Sequence, residues 1–298
     1  MASVTDNSKT MVEGPPRVGE WRRFRRVFFG RPVVMFGTVI ILLFIICAIF
    51  APLIAPHNPF TTDLSKNLQR PSSEHLLGTD QLGRDSLSRI IYGARTSLLI
   101  GFTVVAIASA AGMLLGTLAG FYGGWVYNVI MRLIDALMAF PMILLALVVA
   151  GALGEGMRNV LIALSIAMLP VYTRLMCGQV LSVKENDYIL ASRASGARDW
   201  RIMLRHIMPN CFPPLIVLIT MMLGMVILTE SVLSFMGIGI VPPTPAWGSM
   251  VNEGRLYLRS HPILSFAPGL VLMLAVFAFN MVGDGLRDAL DPRLRGAL

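Results

Sequence analysis

Long apolar stretches alternate with short polar ones along the chain. Six apolar runs, residues 33–55, 98–122, 133–153, 160–176, 214–236 and 263–282, each come near the roughly 20 residues that an α-helix needs to cross a bilayer. The pattern predicts an all-α membrane protein with six transmembrane helices. The first run begins only at Val33 and leads to Pro52 instead of a small-residue cleavage site, so it reads as a retained anchor and not as a leader. Ahead of it, residues 1–16 are polar and carry Pro15 and Pro16, a composition expected to stay disordered. Residues 19–31 set Trp21, Phe24, Phe28 and Phe29 among Arg22, Arg23, Arg25, Arg26 and Arg31, which fits an amphipathic helix at the headgroups. The division expected is therefore a tail with an interfacial helix, residues 1–32, and a membrane domain, residues 33–298. Its main connecting segments are 57–97, 184–213 and 237–262.

Composition agrees with this division. Hydrophobic residues make up 55% of the 298 and charged residues only 14%, with a mean hydropathy of +0.69. A soluble domain carries nearly twice that charged fraction. The net charge of +8 could suggest nucleic acid, but most of it flanks apolar spans, so topology explains it better and no nucleic-acid partner is expected. With the N-terminus in the cytoplasm, 17 of the 25 basic residues fall in inner segments, as the positive-inside rule requires. Both termini and segment 184–213 are then cytoplasmic. Cys47, Cys177 and Cys211 follow no metal-ligand spacing.

Segment 184–214, KENDYILASRASGARDWRIMLRHIMPNCFPP, is the longest polar interruption in the C-terminal half. Asp187 can cap a short helix over residues 188–195, with Gly196 just past its end. Asp199 can cap a second helix, in which Trp200, Met203, Leu204 and Ile207 share one face and Arg198, Arg201 and Arg205 another. Pro209, Pro213 and Pro214 are expected to close it. Ala191, Ser192, Ala194, Ser195 and Gly196 make the first helix narrow enough to enter a partner's groove. A loop resting on anionic lipid is the alternative.

Outside the spans, Asp80 is suited to cap a turn before Leu82–Gly83. Asp85 is suited to cap a helix with Leu87, Ile90 and Ile91 on one face and Arg84, Ser88 and Arg95 on the other. Gly112, Gly116 and Gly120 form a ladder for close helix approach, and Pro141 predicts a kink. Pro242, Pro243 and Pro245 stiffen the approach to Trp247, and residues 249–258 can dip back as a short helix. A plug over the outer mouth, a contact for a second protein and a rigid connector are the three readings of this stretch.

Chemistry of its own is not expected. No glycine-rich loop precedes Lys9, Lys66 or Lys184, no serine sits in a G-x-S-x-G elbow, and the four histidines all lie in connecting segments. Charged groups at membrane depth are the functional candidates. Asp135 is expected near the end of its span, paired with Arg132. Glu230 makes a polar patch with Thr229, Ser231 and Ser234; a neighbouring helix, Arg255 or Arg259 could satisfy it, or it could line a path. Asn280 and Asp284 could seal the inner side or cap the last helix.

Segment 184–214 resembles the EAA loop of ABC-importer permeases: Ala191, Ser192, Gly196 and Pro209 fall in register, while Leu190 stands where that family often has Glu. The stretches HLLGTDQLGRDSLSRIIYGARTSL, YGGWVYNVIMRLIDALMAFP, ESVLSFMGIGIVPPTPAWGSM and AFNMVGDGLRDALDPRLRG resemble the C-type subunits of dipeptide, oligopeptide and nickel importers. The resemblance implies the type I ABC-importer permease fold. It also implies a second homologous permease, two cytoplasmic ATPase subunits that bind ATP and magnesium, and an extracytoplasmic solute-binding protein. This chain would bind no cofactor or metal. Tyr188, Ala191, Ser192, Ser195 and Gly196 would couple it to the ATPase. Thr229, Glu230, Ser234 and Asn280 are then candidates for the peptide path, with Glu230 meeting the peptide ammonium. Asp80, Arg84, Asp85, Pro243 and Trp247 are candidates for the outer gate or the binding-protein contact. Nickel, glutathione and opines are alternative cargoes. A secondary transporter and a non-transport scaffold are the rivals from other classes.

Overall fold

The computed structural model describes Arg26 and residues 28–290 of the chain. The expected tail, residues 1–16, and most of the interfacial helix lie outside the described residues. Among those described, the regular elements are helices. The first, α1 (Pro32–Ile54), bends at Phe50 just before Pro52, whose ring cannot sit in an undisturbed helical turn. Residues 57–85 then form an irregular segment with one 3₁₀ turn, Leu64–Lys66.

Asp85 starts α2 (Ser86–Tyr122) by accepting the Ser88 N–H at 2.8 Å, the cap that the sequence predicts. At 37 residues, α2 is about 55 Å long, so the expected outer helix and the second span are one continuous rod. Gly123, at φ +65°, ends it. The third expected span is two helices, α3 (Gly124–Met138) and α4 (Met142–Leu153), bent by 91° at the residues before and including Pro141. The kink predicted at Pro141 is thus a full break. Next come α5 (Met157–Val183), the short α6 (Asp187–Ala194) and α7 (Asp199–Ile202).

From α7 the chain does not stop. A π turn, Met203–Ile207, carries it straight into α8 (Met208–Phe235). Pro209 sits in the first turn of α8, directly after the π turn, and Pro213 and Pro214 lie inside the helix. The expectation that these prolines close the loop helix is corrected: the loop helix and the span are joined. A short connecting helix, α9 (Trp247–Arg255), precedes the last span, α10 (Ile263–Leu290). Five helical stretches among the described residues are long and apolar enough to cross a membrane, and the bent α3–α4 pair is a sixth if it counts as one span.

The core gathers where α2 lies against α5, α8 and α1. The glycine ladder makes the α2–α5 seam possible. A methyl group on Gly112, Gly116 or Gly120 would come within 2.5–2.8 Å of Tyr172 Cβ, Thr173 O or Val180 Cβ. Gly37 of α1 and Gly283 of α10 allow equally close crossings, against Ala278 and Met221.

Candidate functional site

Four regions concern the candidate residues: a peg between α5 and α8, a cluster where α2 meets α9 (the outer cluster expected from sequence), a patch around Glu230 in α8, and a groove between α3 and α5.

In the peg, Asn186 takes the cap position of α6 and Asp187 is its first helical residue, so Asp187 is not the cap. Asp199 is likewise the first residue of α7, behind Arg198. Gly196 follows α6 at φ +75°, with its N–H on Arg193 O and the Ala197 N–H on Ser192 O, the terminus predicted for it. Only Ile189 of α6 is buried. It enters a small apolar cluster with Phe121 of α2, Met176 and Val180 of α5, and Ile202 and Ile207. The Arg193 guanidinium lies 5.1 Å above the Phe121 ring. Lys184 Nζ donates to Gly120 O at 3.1 Å. The peg is therefore fastened to the ends of α2 and α5, while Tyr188, Leu190, Ala191, Ser195 and Gly196 face outward and Ser192 is half-buried. The hydroxyls of Ser192 and Ser195 donate to Tyr188 O and Ala191 O one turn back, which leaves a smooth surface.

The face expected to unite Trp200, Met203, Leu204 and Ile207 is corrected. Ile202 and Ile207 are buried and Met203 packs against them, whereas Trp200 and Leu204 are exposed. The π turn adds a residue to the turn, so positions five apart share a side.

The outer cluster is built on two carboxylates and two arginines. Asp80 accepts the N–H of Leu82 and of Arg84 on one oxygen, at 2.8 and 3.0 Å, which makes the predicted turn. Its other oxygen takes Arg84 Nε at 2.6 Å and faces Arg89 Nε at 3.4 Å. Glu253 of α9 accepts Arg84 Nη2 at 3.1 Å. Arg84 and Arg89 are 2% and 1% exposed, and Ser88 is buried with them. Asp85 takes the Ser88 hydroxyl as well as its N–H, and His75 Nδ1 lies 2.9 Å from its second oxygen. Trp247 is fully buried against Gly93, and its Nε1 donates to Ile90 O at 3.0 Å. Asp80, Arg84, Asp85 and Trp247 are thus occupied inside the protein, tying α9 to the head of α2. Of the five residues expected at the outer gate, Pro243 is the exposed one.

Glu230 is also internal. It is fully buried, Ser234 donates to it at 2.7 Å, and Ser231 lies 3.4 Å away. Residues 237–240 fold back over the patch, with the Ile240 N–H on Ser234 Oγ. Thr229 and Ser234 are buried with it, and Thr229 donates to Met225 O. These three residues face the interior of this chain's own bundle, and Asn280 is exposed.

The groove was not foreseen. Asp135 pairs with Arg174 of α5 at 2.5 Å and not with Arg132. Because α3 begins at Gly124 and ends at Met138, Asp135 stands about 16 Å along it, in its last turn. The separation of the partners in sequence hides this pairing from local spacing rules.

The chain matches two family descriptions: "N-terminal TM domain of oligopeptide transport permease C" over residues 19–71 and "binding-protein-dependent transport system inner membrane component" over residues 112–296. It is 42% identical over 278 residues to the dipeptide transport system permease protein DppC of Alkalihalophilus pseudofirmus, covering 93% of this chain and 91% of that one. It is 43% identical to the di/tripeptide permease DppC of Pseudomonas aeruginosa, covering 93% of each. It is 45% identical to the glutathione permease GsiD of Escherichia coli, covering 93% and 90%. Among solved structures, the inward-facing MetNI methionine ABC transporter shares the fold, with a TM-score of 0.56 at 17% identity over 69% of this chain and 97% of that one. The chain is a C-type peptide permease of the binding-protein-dependent ABC importer family, a multi-pass inner-membrane transport subunit that has no catalytic site of its own.

Proposed function

We propose that this permease imports dipeptides and short oligopeptides by alternating access, driven through the α6 peg by ATPase subunits that bind ATP and magnesium. It pairs with a second, homologous permease, and an extracytoplasmic binding protein delivers the cargo. Both termini and the peg are cytoplasmic, and α3–α4 together make the sixth span. The cargo follows from the relatives, two of them named for dipeptide or di/tripeptide transport. Glutathione, itself a peptide, is the second reading, carried by the glutathione permeases of similar identity.

One observation supports the mechanical part. The α6 helix is outward-facing except at Ile189, yet that residue and Lys184 tie it to the ends of the two most closely packed spans. A push on α6 is delivered to the α2–α5 pair as a unit, because a packed core has discrete arrangements and does not flex continuously. The bias required is about 3–5 kcal/mol between inward and outward states. The experiment is uptake of radiolabelled dipeptide into proteoliposomes holding the complete complex, with Ala191→Trp compared to the parent. The proposal predicts that ATP hydrolysis persists while uptake falls to background. Undiminished uptake in this variant refutes the coupling.

A further inference from the structure

The groove between α3 and α5 has an unusual position for its charges. Tyr127, Asn128, Arg132 and Asp135 recur at helical spacing along one side of α3; Arg174 and Gly178 do so along the facing side of α5. Arg174 lies about 14 Å from the peg end of α5 by helical rise, inside a helix long and apolar enough to cross a bilayer. The Asp135 and Arg174 side chains are each 50% exposed. Arg132 and Asn128 are exposed as well, and Arg132 forms no ion pair with the described residues. A methyl group added at Gly178 would meet nothing within 4 Å, so the floor of the groove is open. Charged side chains on a membrane-spanning helix face water or protein and not lipid.

The charges have a pattern. Two guanidinium groups and one carboxylate share a single wall, and the anion is held by only one of the cations. Asp135 offers an acceptor to an ammonium, and Arg132 and Arg174 offer forked donors to a carboxylate. A molecule with both groups a few ångströms apart can exchange the internal pair for two external ones. A free peptide is such a molecule.

We propose that the α3–α5 groove is wall of the aqueous transit lumen, and that Asp135, Arg132 and Arg174 there form a low-affinity site for the charged termini of the peptide. The inference rests on the peptide-importer reading above and assigns the contact to residues on this chain. Opening the internal ion pair in favour of cargo makes the site transient, as transit requires. Glu230, sealed inside the bundle, has no part in it.

The test uses vesicles containing the whole complex, with Cys47, Cys177 and Cys211 replaced by Ser and a reporter introduced as Asn128→Cys. Without ATP, a charged methanethiosulfonate reagent should label position 128. A free dipeptide at millimolar concentration should slow labelling about threefold, the effect that one exposed ion pair supports. The N-acetylated and C-amidated dipeptides should protect less. Asp135→Asn should remove the penalty for N-acetylation, and Arg174→Gln the penalty for amidation. Absence of labelling means that lipid or the partner permease covers the wall, and it overturns the proposal. So does labelling that no dipeptide slows, or protection unchanged in both variants. ATP-driven dipeptide uptake by the parent vesicles separates the two readings. Uptake without protection overturns only this site, whereas no uptake counts against the peptide reading itself. If Arg174→Gln does not assemble, Arg132→Gln tests the same amidation penalty.

Discussion

Replacing Gly116 with alanine should weaken the α2–α5 seam. The added methyl carbon would stand 2.6 Å from Thr173 O, 2.7 Å from Met176 Cβ and 2.9 Å from Cys177 N. Two of these atoms are helix backbone and cannot rotate away, so α2 and α5 must part by about 0.8 Å to restore ordinary contact. Such overpacking costs about 1–3 kcal/mol, and alanine returns up to about 1 kcal/mol in helix propensity. The net loss expected is about 1–2 kcal/mol. Gly151 of α4 is the control, since a methyl group there meets nothing within 4 Å and should be neutral or mildly stabilising. Reversible denaturant unfolding of the purified full chain in mixed micelles would measure both variants. Equal stability of Gly116→Ala and Gly151→Ala refutes the argument that this ladder is a close-packed seam.

The outer cluster and the peg give further expectations. Asp80→Asn removes the carboxylate between two buried guanidinium groups and should cost about 3 kcal/mol, read in the same unfolding assay. Asp85→Ala leaves the start of α2 uncapped and strands His75, for about 1–2 kcal/mol; protease digestion should then begin within residues 57–85. Ile189→Ala empties the apolar anchor of α6 and should cost about 2–4 kcal/mol locally. Its readout is faster amide exchange in residues 184–198, with little change in the spans.

The spans could be read from hydropathy because a bilayer demands length and apolarity and little else. Asp80, Asp85, Gly196 and the glycine ladder could also be placed, since turns, caps and close approaches impose local rules. What failed involved partners distant in sequence or a change of period. The π turn after Ile202 shifted the buried face of the loop helix and carried the chain past three prolines. Asp135 found Arg174 instead of its neighbour Arg132. Nothing local announces that residues 237–240 fold back on Ser234 beside Glu230. The burial of Arg84 and Arg89 depends on Glu253, far along the chain, which supplies the second carboxylate.

The most direct measurement concerns the contact made by α6. A photo-crosslinking residue placed at Leu190, which is 53% exposed on the peg, should join this chain to an ATPase subunit in the assembled complex, with a yield that changes between nucleotide-free and ATP-bound states. Crosslinks to lipid alone, or to the extracytoplasmic binding protein, would contradict the account.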